Sequence, residues 1–361
     1  ARIRRREMVQ KIDGSMGEGG GQVVRTALSL AMLTGREIVI EGVRAGRRKP
    51  GLLRQHLAAA RAAAEICSGG GACDAELGAQ TLRFAPGEVR AGEYGLRVGS
   101  AGSAMLVLQT VLLPLCLAGG PSRLELDGGT HNPWAPTFDF LERSFLPLLR
   151  RMGPRVEARL ERPGFYPAGG GRAVIEIEPA SRLSSLHLEE RGEILSRQAV
   201  ATVANLRRSI GVRELQAVAR ALGWGADRLR LEEVSGARGP GNALRIEICS
   251  EHVTEVFTGF GRASVPAEQV AKEACRQARA YLSSGVPVGP FLADQLLLPM
   301  ALAGDGSFRA QSPSRHCLTQ IELLRDFLGT AITAEKESSG RWLVRVGKSA
   351  ARSAGAEEND R

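Results

Sequence analysis

One pattern occurs three times along this chain of 361 residues: a glycine-rich segment, an apolar helix, a short strand, a polar loop and a second helix. The glycine-rich segments begin at Gly17, Gly99 and Gly285. Repeated units of this kind each leave an apolar face that only packing against their neighbours can bury. We therefore predict an α/β fold of three repeated modules, each a sheet backed by two helices. The predicted first helices cover 23–33, 105–117 and 291–302, the strands 37–40, 123–126 and the chain near Phe308, and the second helices 52–66, 137–152 and 318–328.

More sequence separates the second and third copies than the first and second, which indicates an insertion. We predict that residues 188–286 form a small α/β domain and that residues 8–187 and 287–348 form the main core. The segment 349–361 is rich in Ala, Ser, Gly and charge, and this composition predicts disorder. The elements predicted for the inserted domain are a helix, a strand and a helix at 212–222, 243–249 and 266–282.

The chain is basic, with a formal net charge of +9 and a pI of about 9.7. This balance favours polyanionic partners such as nucleic acids or nucleotides. No carboxylate occurs between Glu41 and Glu65, where we expect a phosphate-binding surface; the alternative is a solvated basic face. Aromatic residues make up only 4% of the chain, which gives little support for base stacking on an aromatic platform. The basic residues of this segment are Arg44, Arg47, Arg48, Lys49, Arg54 and Arg61.

The sequence favours a cytoplasmic protein without a membrane span. The longest apolar run, 105–117, is broken by Gln109 and Pro114 and falls short of the ~18 residues that cross a bilayer. No apolar stretch follows the basic start, so we expect no signal peptide. The six cysteines contain no C-x-x-C pair, which disfavours zinc and thioredoxin-type sites and fits a reducing compartment.

Among the five histidines, His316 has the strongest case for a chemical role. It follows a turn fixed by proline and precedes the second helix of the third copy. A neutral imidazole is a competent nucleophile at physiological pH, provided that an acceptor holds its second nitrogen. The alternative is a structural loop histidine. His56 suits either the core edge or a phosphate contact, and His131, His187 and His252 have no supporting pattern.

Other residues suggest ligand contacts or rival chemistry. Glu18 lies beside three consecutive glycines, which let a ligand approach the backbone, and its carboxylate is placed to hold a metal ion near phosphate oxygens. Gln109 and Asp294 interrupt apolar helices, and buried polar groups need partners. The alternative for Asp294 is a helix cap. Lys11, in the sequence Lys-Ile-Asp-Gly, is a rival nucleophile of the kind found in ligases and capping enzymes.

Together these segments resemble the RNA 3′-terminal phosphate cyclase family over residues 9–348. The resemblance implies three repeats similar to the C-terminal domain of bacterial translation initiation factor three, with a smaller α/β domain inserted. It also implies that ATP drives conversion of an RNA 3′-phosphate end into a 2′,3′-cyclic phosphate. The partner is then an RNA with such an end, without membrane or sequence-specific DNA binding. The resemblance is carried by 13–25, 44–56, 99–103, Gly-Phe-Tyr-Pro-Ala-Gly-Gly-Gly at 164–171, 239–242, Leu-Ala-Asp-Gln at 292–295, and 313–321.

The resemblance also implies a role for each matching residue. His316 would attack the α-phosphorus of ATP and carry AMP before its transfer to the RNA phosphate, and Glu18 would contact a divalent metal, magnesium or manganese. Two positions depart from the residues frequent in the family, because Phe291 replaces Tyr and Gln320 replaces Asn. The implied nucleotide-binding residues are Gln109, Phe291, Leu292, Ala293, Asp294 and Gln295, and the implied phosphate- or RNA-binding residues are Arg25, Arg44, Arg47, Arg54 and His56.

Two other functions stay open at this point. The first is a non-catalytic, cyclase-like factor for RNA processing or ribosome assembly, although such relatives lack the histidine found at 316. The second is an enolpyruvyl transferase, which is built from similar repeated modules and also binds phosphate. That class does not account for His316 or for the Leu-Ala-Asp-Gln segment.

Overall fold

The structure, a computed structural model, describes residues 9–18, 20–70, 72–99 and 101–347. Gly19 and Ser100 of the glycine-rich segments lie outside the described residues, as does the tail 349–361 for which disorder is predicted. Among the described helices, none is long and apolar enough to cross a membrane.

The first module is a four-stranded sheet with two helices in its connections. Its strands lie in the order first, second, fourth, third. The first two are parallel, with Ile12 opposite Ile40, and the other neighbours are antiparallel. In chain order the elements are β1 (Gln10–Asp13), α1 (Gly21–Thr34), β2 (Ile38–Glu41), α2 (Arg54–Glu65), β3 (Ala72–Asp74) and β4 (Leu82–Ala85).

The second module repeats this strand order and these strand directions. Its second helix is not continuous, because a π-helical turn at Leu141–Phe145 divides the predicted helix 137–152. In chain order the elements are β5 (Glu93–Arg97), α3 (Ala104–Cys116), β6 (Ser122–Gly128), α4 (Phe138–Phe140), α5 (Leu146–Arg151), β7 (Arg155–Arg162) and β8 (Gly171–Glu178).

The third module is interrupted after its first strand, β9 (Leu186–Leu188). The chain then forms a separate four-stranded sheet with two helices, here called the inserted unit, whose strand order differs from that of the modules. Leu188, which the predicted division assigns to the inserted domain, pairs with Phe308 in the third sheet. The elements of the inserted unit are β10 (Ile194–Ala204), α6 (Ser209–Leu222), β11 (Leu229–Val234), β12 (Gly241–Ser250), β13 (Thr254–Phe260) and α7 (Ala267–Ser284).

After the inserted unit the chain completes the third module with the same strand order as the first two. The predicted α/β class and the three modules of one sheet and two helices are confirmed. The insertion lies inside the third copy, after its first strand, and not between two complete copies. The completing elements are α8 (Pro290–Ala303), β14 (Gly306–Ala310), α9 (Arg315–Leu328), β15 (Ala331–Lys336) and β16 (Trp342–Gly347).

The first connecting helix of each module lies in the interior. α3 is apolar except for Gln109 and Thr110, and α1 and α8 are also buried along most of their length. Helices that are apolar on almost every side have no solvent face, so they pack at the centre of a fold. α1 contacts α3, and α9 contacts both α1 and α8. One apolar core therefore joins the three modules, while the inserted unit has an apolar core of its own.

A buried polar network joins the inserted unit to the second module. Arg245 of β12 forms an ion pair with Asp139 of α4. Asp139 Oδ2 also lies 2.8 Å from His131 Nε2, and His131 Nδ1 lies 2.8 Å from Thr130 Oγ1. Burial opposes ionisation of Asp139, but His131, Arg245 and Arg143 outweigh it and hold the pKa of that carboxyl well below its usual range. The expectation that His131 has no supporting pattern is wrong, because Thr130 and Asp139, which are near in sequence, and Arg245 of the inserted unit form a network around it.

We expect Asp139→Ala to lower the free energy of unfolding by about 3–5 kcal/mol, because it removes the close partner of the buried Arg245 guanidinium and leaves it the 3.7 Å contact with Glu247. Urea denaturation, followed by the fluorescence of the buried Trp224, measures this change. The matched control is Asp227→Ala, which breaks an exposed 3.7 Å pair with Arg228 and should cost less than about 1 kcal/mol. Equal changes in the two variants would contradict the role given to the buried pair.

Candidate active site

His316 lies in the first turn of α9. Ser314 caps this helix, and its Oγ accepts a 3.0 Å hydrogen bond from Cys317 N. The prediction that the helix begins at residue 318 is wrong, because the Ser314 cap starts the helix at Arg315. A helix therefore presents the imidazole, and its backbone position is fixed.

Both ring nitrogens of His316 have partners at the start of the first module. Nδ1 lies 2.5 Å from Gln22 Oε1, and Nε2 lies 2.6 Å from Glu18 Oε2. The Gln22 amide nitrogen donates to Gln320 Oε1 at 2.9 Å and to the His316 carbonyl at 3.3 Å. Thr26 Oγ1 donates to the same Gln320 oxygen at 2.9 Å. These bonds leave Gln22 Oε1 as the acceptor, so Nδ1 carries a proton, and the 2.6 Å contact between Nε2 and the Glu18 carboxylate requires a proton between those two atoms as well.

The groups around His316 have opposite effects on its charge. Burial lowers the pKa of His316; Glu18 opposes this shift, while Arg25 and Arg47 reinforce it, and the pKa lies below its usual value. Once the proton between Nε2 and Glu18 has left, the neutral ring keeps its proton on Nδ1 and has a free electron pair on Nε2, the nitrogen that Glu18 covers. The Glu18 carboxylate is also 3.4 Å from Arg47 Nη2. Glu18 must therefore turn away, toward Arg47 or a bound cation, before Nε2 can act as a nucleophile.

The glycine-rich loop between β1 and α1 needs glycine at two positions. Gly17 has a φ of 58°, and a Cβ there would lie 1.8 Å from Thr319 Oγ1. At Gly21 a Cβ would lie 2.0 Å from His56 Nε2. The missing side chains let the loop pack directly against α9 and His56, which brings Glu18 to His316.

His56 is a buried support of this loop. It lies in the first turn of α2, and its Nδ1 accepts a 3.0 Å hydrogen bond from Leu53 N. The proton is therefore on Nε2, which faces Gly21. Burial lowers the pKa of His56 to about 3, and Arg25 and Arg44 contribute in the same direction. His56 is a neutral side chain beneath the loop, and not a cation.

Arg25 of α1 and Asp294 of α8 are oppositely charged residues of one cavity wall. Burial lowers the pKa of Arg25 to about 10, and Asp294 opposes this shift. Burial also raises the pKa of Asp294 to about 7; Glu18 adds to this, while Ser314 and Arg25 oppose it. Asp294 lies past the cap position of α8, so the helix-cap alternative is wrong. Its Oδ1 is buried without a partner in the described part of the chain, which indicates a ligand contact.

The predicted arginines occupy different places. Arg25 and Arg47 act on His316 directly through their charges. Arg44 has a φ of 56°, and its guanidinium donates to the carbonyls of Lys49 at 2.6 Å and Gly51 at 3.0 Å, so it braces the polar loop. Arg54 is exposed at the first position of α2, and it is not among the residues that line the cavity described next.

A cavity of about 650 Å³ lies beside His316. Gln109 of α3 donates a 2.5 Å hydrogen bond to Gln295 of α8, so the second and third modules meet in its wall. Phe291 lines the same cavity and is 52% exposed. The size lies within the range typical of small-ligand pockets, and the lining supplies an aromatic face and amide groups.

Leu292 and Ala293 differ from their predicted neighbours. Both are buried in the apolar core and do not belong to the cavity lining. Their side chains pack on the core side of α8. Contact between these two residues and a nucleotide therefore stays a prediction.

The inserted unit forms another part of the cavity wall. Glu255 of β13 is buried, and its Oε1 accepts a 2.5 Å hydrogen bond from Gly289 N at the start of α8. Burial raises the pKa of Glu255 to about 8, although backbone hydrogen bonds oppose this shift. This contact connects the inserted unit with the helix that carries Asp294. The cavity residues of the inserted unit include Val256, Thr258, Phe260, Arg262, Val265 and Gln269.

The resemblance implies a divalent metal, and the donor set at Glu18 fits one kind of site. The described residues contain no group of three His, Cys, Asp or Glu side chains that could hold a metal ion. Magnesium often binds through one or two carboxylates, with water and substrate phosphates as its other ligands. Glu18, with the unpartnered oxygen of Asp294 nearby, suits an ion that binds together with nucleotide phosphates.

Gln22 orients His316 but is not among the predicted site residues. The signal that could have found it is the polar spacing of α1. Gln22, Arg25, Thr26 and Ser29 occupy positions i, i+3, i+4 and i+7 on one face of a mostly apolar helix, and all four line the cavity.

Enzymes that transfer a nucleotidyl group through a histidine need an oriented imidazole, cationic side chains and a pocket for the nucleotide, and this is the class to which the geometry points. The family model described as RNA 3′-terminal phosphate cyclase matches residues 16–334. The chain therefore belongs to the RNA 3′-terminal phosphate cyclase family.

Curated relatives agree with this membership. A protein of Koribacter versatilis named RNA 3′-terminal phosphate cyclase is 51% identical over 91% of this chain and 92% of its own length. Proteins with the same name are 51% identical in Ralstonia nicotianae, over 93% of this chain and 96% of the relative, and 50% identical in Salmonella typhimurium, over 93% and 98%. The resemblance inferred from the sequence is confirmed.

We expect His56 to remain neutral between pH 8 and about pH 5, because burial, Arg25 and Arg44 lower its pKa to about 3. Histidine-selective NMR over this pH range measures its protonation, with His56→Asn as the control that assigns the signal. A His56 titration near the ordinary histidine value of about 6.5 would contradict the buried, neutral role.

Proposed function

We propose that this enzyme uses ATP to convert the 3′-phosphate end of an RNA into a 2′,3′-cyclic phosphate. The observation that carries the proposal is the pair of contacts on His316: Gln22 holds Nδ1, and Nε2 faces Glu18 and the arginines beside the cavity. Family membership and the named relatives support the same activity.

In the first step, His316 Nε2 attacks the α-phosphorus of ATP. The Nε2–P bond forms, the bond from the α-phosphorus to its bridging oxygen breaks, and pyrophosphate leaves. The ring gains positive charge in this step, and the Nδ1 proton stays on the hydrogen bond to Gln22 Oε1. Arg25 and Arg47 neutralise charge on the phosphate oxygens, which is the main demand of phosphoryl transfer.

In the second step, an oxygen of the RNA 3′-phosphate attacks the histidine-bound phosphorus and restores neutral His316. The 2′-OH then loses its proton to solvent as its oxygen bonds to the RNA 3′-phosphorus, the bond from this phosphorus to the AMP oxygen breaks, and AMP leaves as the five-membered ring closes. The hydroxyl is already adjacent to the phosphorus, so orientation makes this weak nucleophile effective. An oxygen of the unmodified 3′-phosphate is a poor leaving group. Adenylation converts it into AMP, which leaves readily.

We propose that Glu18 holds a divalent ion, magnesium or manganese, against the nucleotide phosphates. When bound, such an ion would neutralise phosphate charge and orient the α-phosphorus. When the Glu18 carboxylate turns toward the cation, it also uncovers His316 Nε2. One movement of Glu18 therefore binds the ion and frees the nucleophile.

We propose that residues 8–187 and 287–348 form the catalytic core and that 188–286 form an inserted domain, with Leu188 itself belonging to the third sheet; the separate sheet and apolar core of the inserted unit support this division. We also propose a cytoplasmic location. The six cysteines are all unpaired, and such thiols fit a reducing compartment.

The rival nucleophile Lys11 is less suited to this reaction. It lies on β1, with its side chain exposed, and does not belong to the cavity lining. The non-catalytic alternative is disfavoured by the oriented histidine, and the enolpyruvyl transferase alternative by family membership.

The test is covalent labelling with ATP labelled at the α-phosphorus, in the presence of Mg²⁺ or Mn²⁺. We expect an acid-labile label on the protein that His316→Ala reduces by roughly 10³-fold or more, because removal of a nucleophile abolishes the covalent step. The control Lys11→Ala should label like the parent. On addition of an RNA with a 3′-phosphate, the label should leave and the RNA end should become resistant to phosphatase.

Undiminished labelling in His316→Ala, with loss in Lys11→Ala, would contradict the proposal and identify the lysine as the nucleophile. Labelling on His316 without any change of the RNA end would refute the cyclisation step alone.

A further inference from the structure

The most exposed large apolar side chain in the described residues stands at the cavity beside His316. Trp134 is 88% exposed and belongs to the cavity lining. The chain has only sixteen aromatic residues (three Trp, three Tyr and ten Phe), and three of them are strongly exposed: Trp134, Tyr166 and Phe291. Two of these three line the cavity. An exposed indole has an unfavourable contact with water, so its position at a ligand cavity calls for a function.

The backbone that carries Trp134 is constrained. Trp134 has a φ of 62°, a region that bulky side chains rarely adopt and that persists only where neighbouring structure imposes it. Pro133 and Pro136 flank it and restrict the loop. Asn132 Nδ2 donates a 2.6 Å hydrogen bond to the Ala101 carbonyl, which ties this loop to the glycine-rich segment of the second module. This constrained loop therefore holds the Trp134 indole in a fixed, solvent-exposed position.

Two cationic side chains line this cavity, together with the carboxylates of Glu273 and Asp294. Arg262 of the inserted unit lines the same cavity and is exposed, and Arg25 lies deeper in its wall. Single-stranded nucleic acids bind where cationic side chains contact phosphates and aromatic faces stack with bases. Trp134 and Arg262 provide one of each, on the second module and on the inserted unit.

ATP and RNA place different demands on an aromatic residue. A small ligand such as a nucleotide is largely enclosed by its pocket, and Phe291 is about half covered, beside the hydrogen-bonded Gln109 and Gln295. An RNA strand must instead leave the site toward solvent on its 5′ side, so its bases need a platform at the open edge. The high exposure of Trp134 matches this second demand.

We propose that Trp134 stacks against a nucleobase at the 3′-phosphate end of the RNA and positions that end toward the adenylated His316. This inference rests on the proposed function and adds the residue that binds the RNA base. It also revises the expectation that the low aromatic content gives little support for base stacking, because a single well-placed indole is sufficient for one base.

The test compares Trp134→Ala, Trp134→Phe and the parent enzyme in two separate steps. In Trp134→Ala we expect labelling of His316 by ATP within about twofold of the parent. The KM for a short single-stranded RNA with a 3′-phosphate should rise roughly 5- to 100-fold, the range expected for loss of one stacked base. Trp134→Phe should recover most of the difference, because a phenyl ring also stacks. The matched control is Tyr166→Ala, which removes an exposed aromatic outside the cavity lining and should change neither step.

An abasic RNA identifies the stacked base. The parent enzyme should bind an RNA lacking its terminal base, or the base before it, about as weakly as Trp134→Ala binds the intact RNA. Combining the abasic RNA with Trp134→Ala should then add little further loss, which a double-mutant cycle measures. Fluorescence that the RNA quenches in the parent and not in Trp134→Phe would report the same contact.

Three results would overturn the inference. One is an equal loss of His316 labelling and of RNA cyclisation in Trp134→Ala, which would indicate that Trp134 contacts ATP. Another is a KM for RNA within twofold of the parent, and the third is full additivity with the abasic RNA. Failure of the proposed function is distinguishable, because His316 would then take no label in the parent enzyme either.

Discussion

Three buried helices impose the main constraint on this protein. α1, α3 and α8 are surrounded by apolar neighbours, so a polar side chain on any of them must find a partner inside the fold or in a ligand. Ser29 donates to the Thr110 carbonyl at 2.6 Å, and Gln109 donates to Gln295. Asp294 Oδ1 has no such partner among the residues that the structure describes. The polar groups of the three helices meet at one cavity, where a nucleotide can satisfy those that remain.

The chemistry at His316 follows from the packing of the third module against the first. Gln22 belongs to α1 and His316 to α9, so the hydrogen bond that fixes the imidazole forms only when these modules dock correctly. The same contact surface brings Glu18 over Nε2 and Arg47 beside Glu18. Folding therefore decides both which nitrogen is held and which is left to react.

The repeated modules could be predicted from sequence because each copy has a glycine-rich segment followed by a strongly apolar helix. The first strands could not: Gln10–Asp13 and Leu186–Leu188 are too short to show a period, and their parallel partners lie far along the chain. For the same reason the insertion point inside the third copy was hidden. The start of α9 depended on one capping hydroxyl, Ser314.

Much of the site also depends on contacts that no local pattern contains. The residues alone made His316 the strongest of five histidine candidates, and only the family resemblance assigned its role. His131 looked isolated, although Asp139 and Arg245 complete a buried network around it. The contribution of the inserted unit to the cavity wall could not be predicted from sequence, because no pattern in the segment around Glu255 indicates a contact with α8.

The most direct measurement of the central claim is the linkage of AMP on the modified histidine. The adenylated enzyme can be digested at alkaline pH, where a phosphoramidate is stable, and the labelled peptide examined by ³¹P–¹H NMR to identify the phosphorylated nitrogen. Because Gln22 holds Nδ1, the account predicts AMP on Nε2 of His316. AMP on Nδ1, or on a residue other than His316, would contradict it.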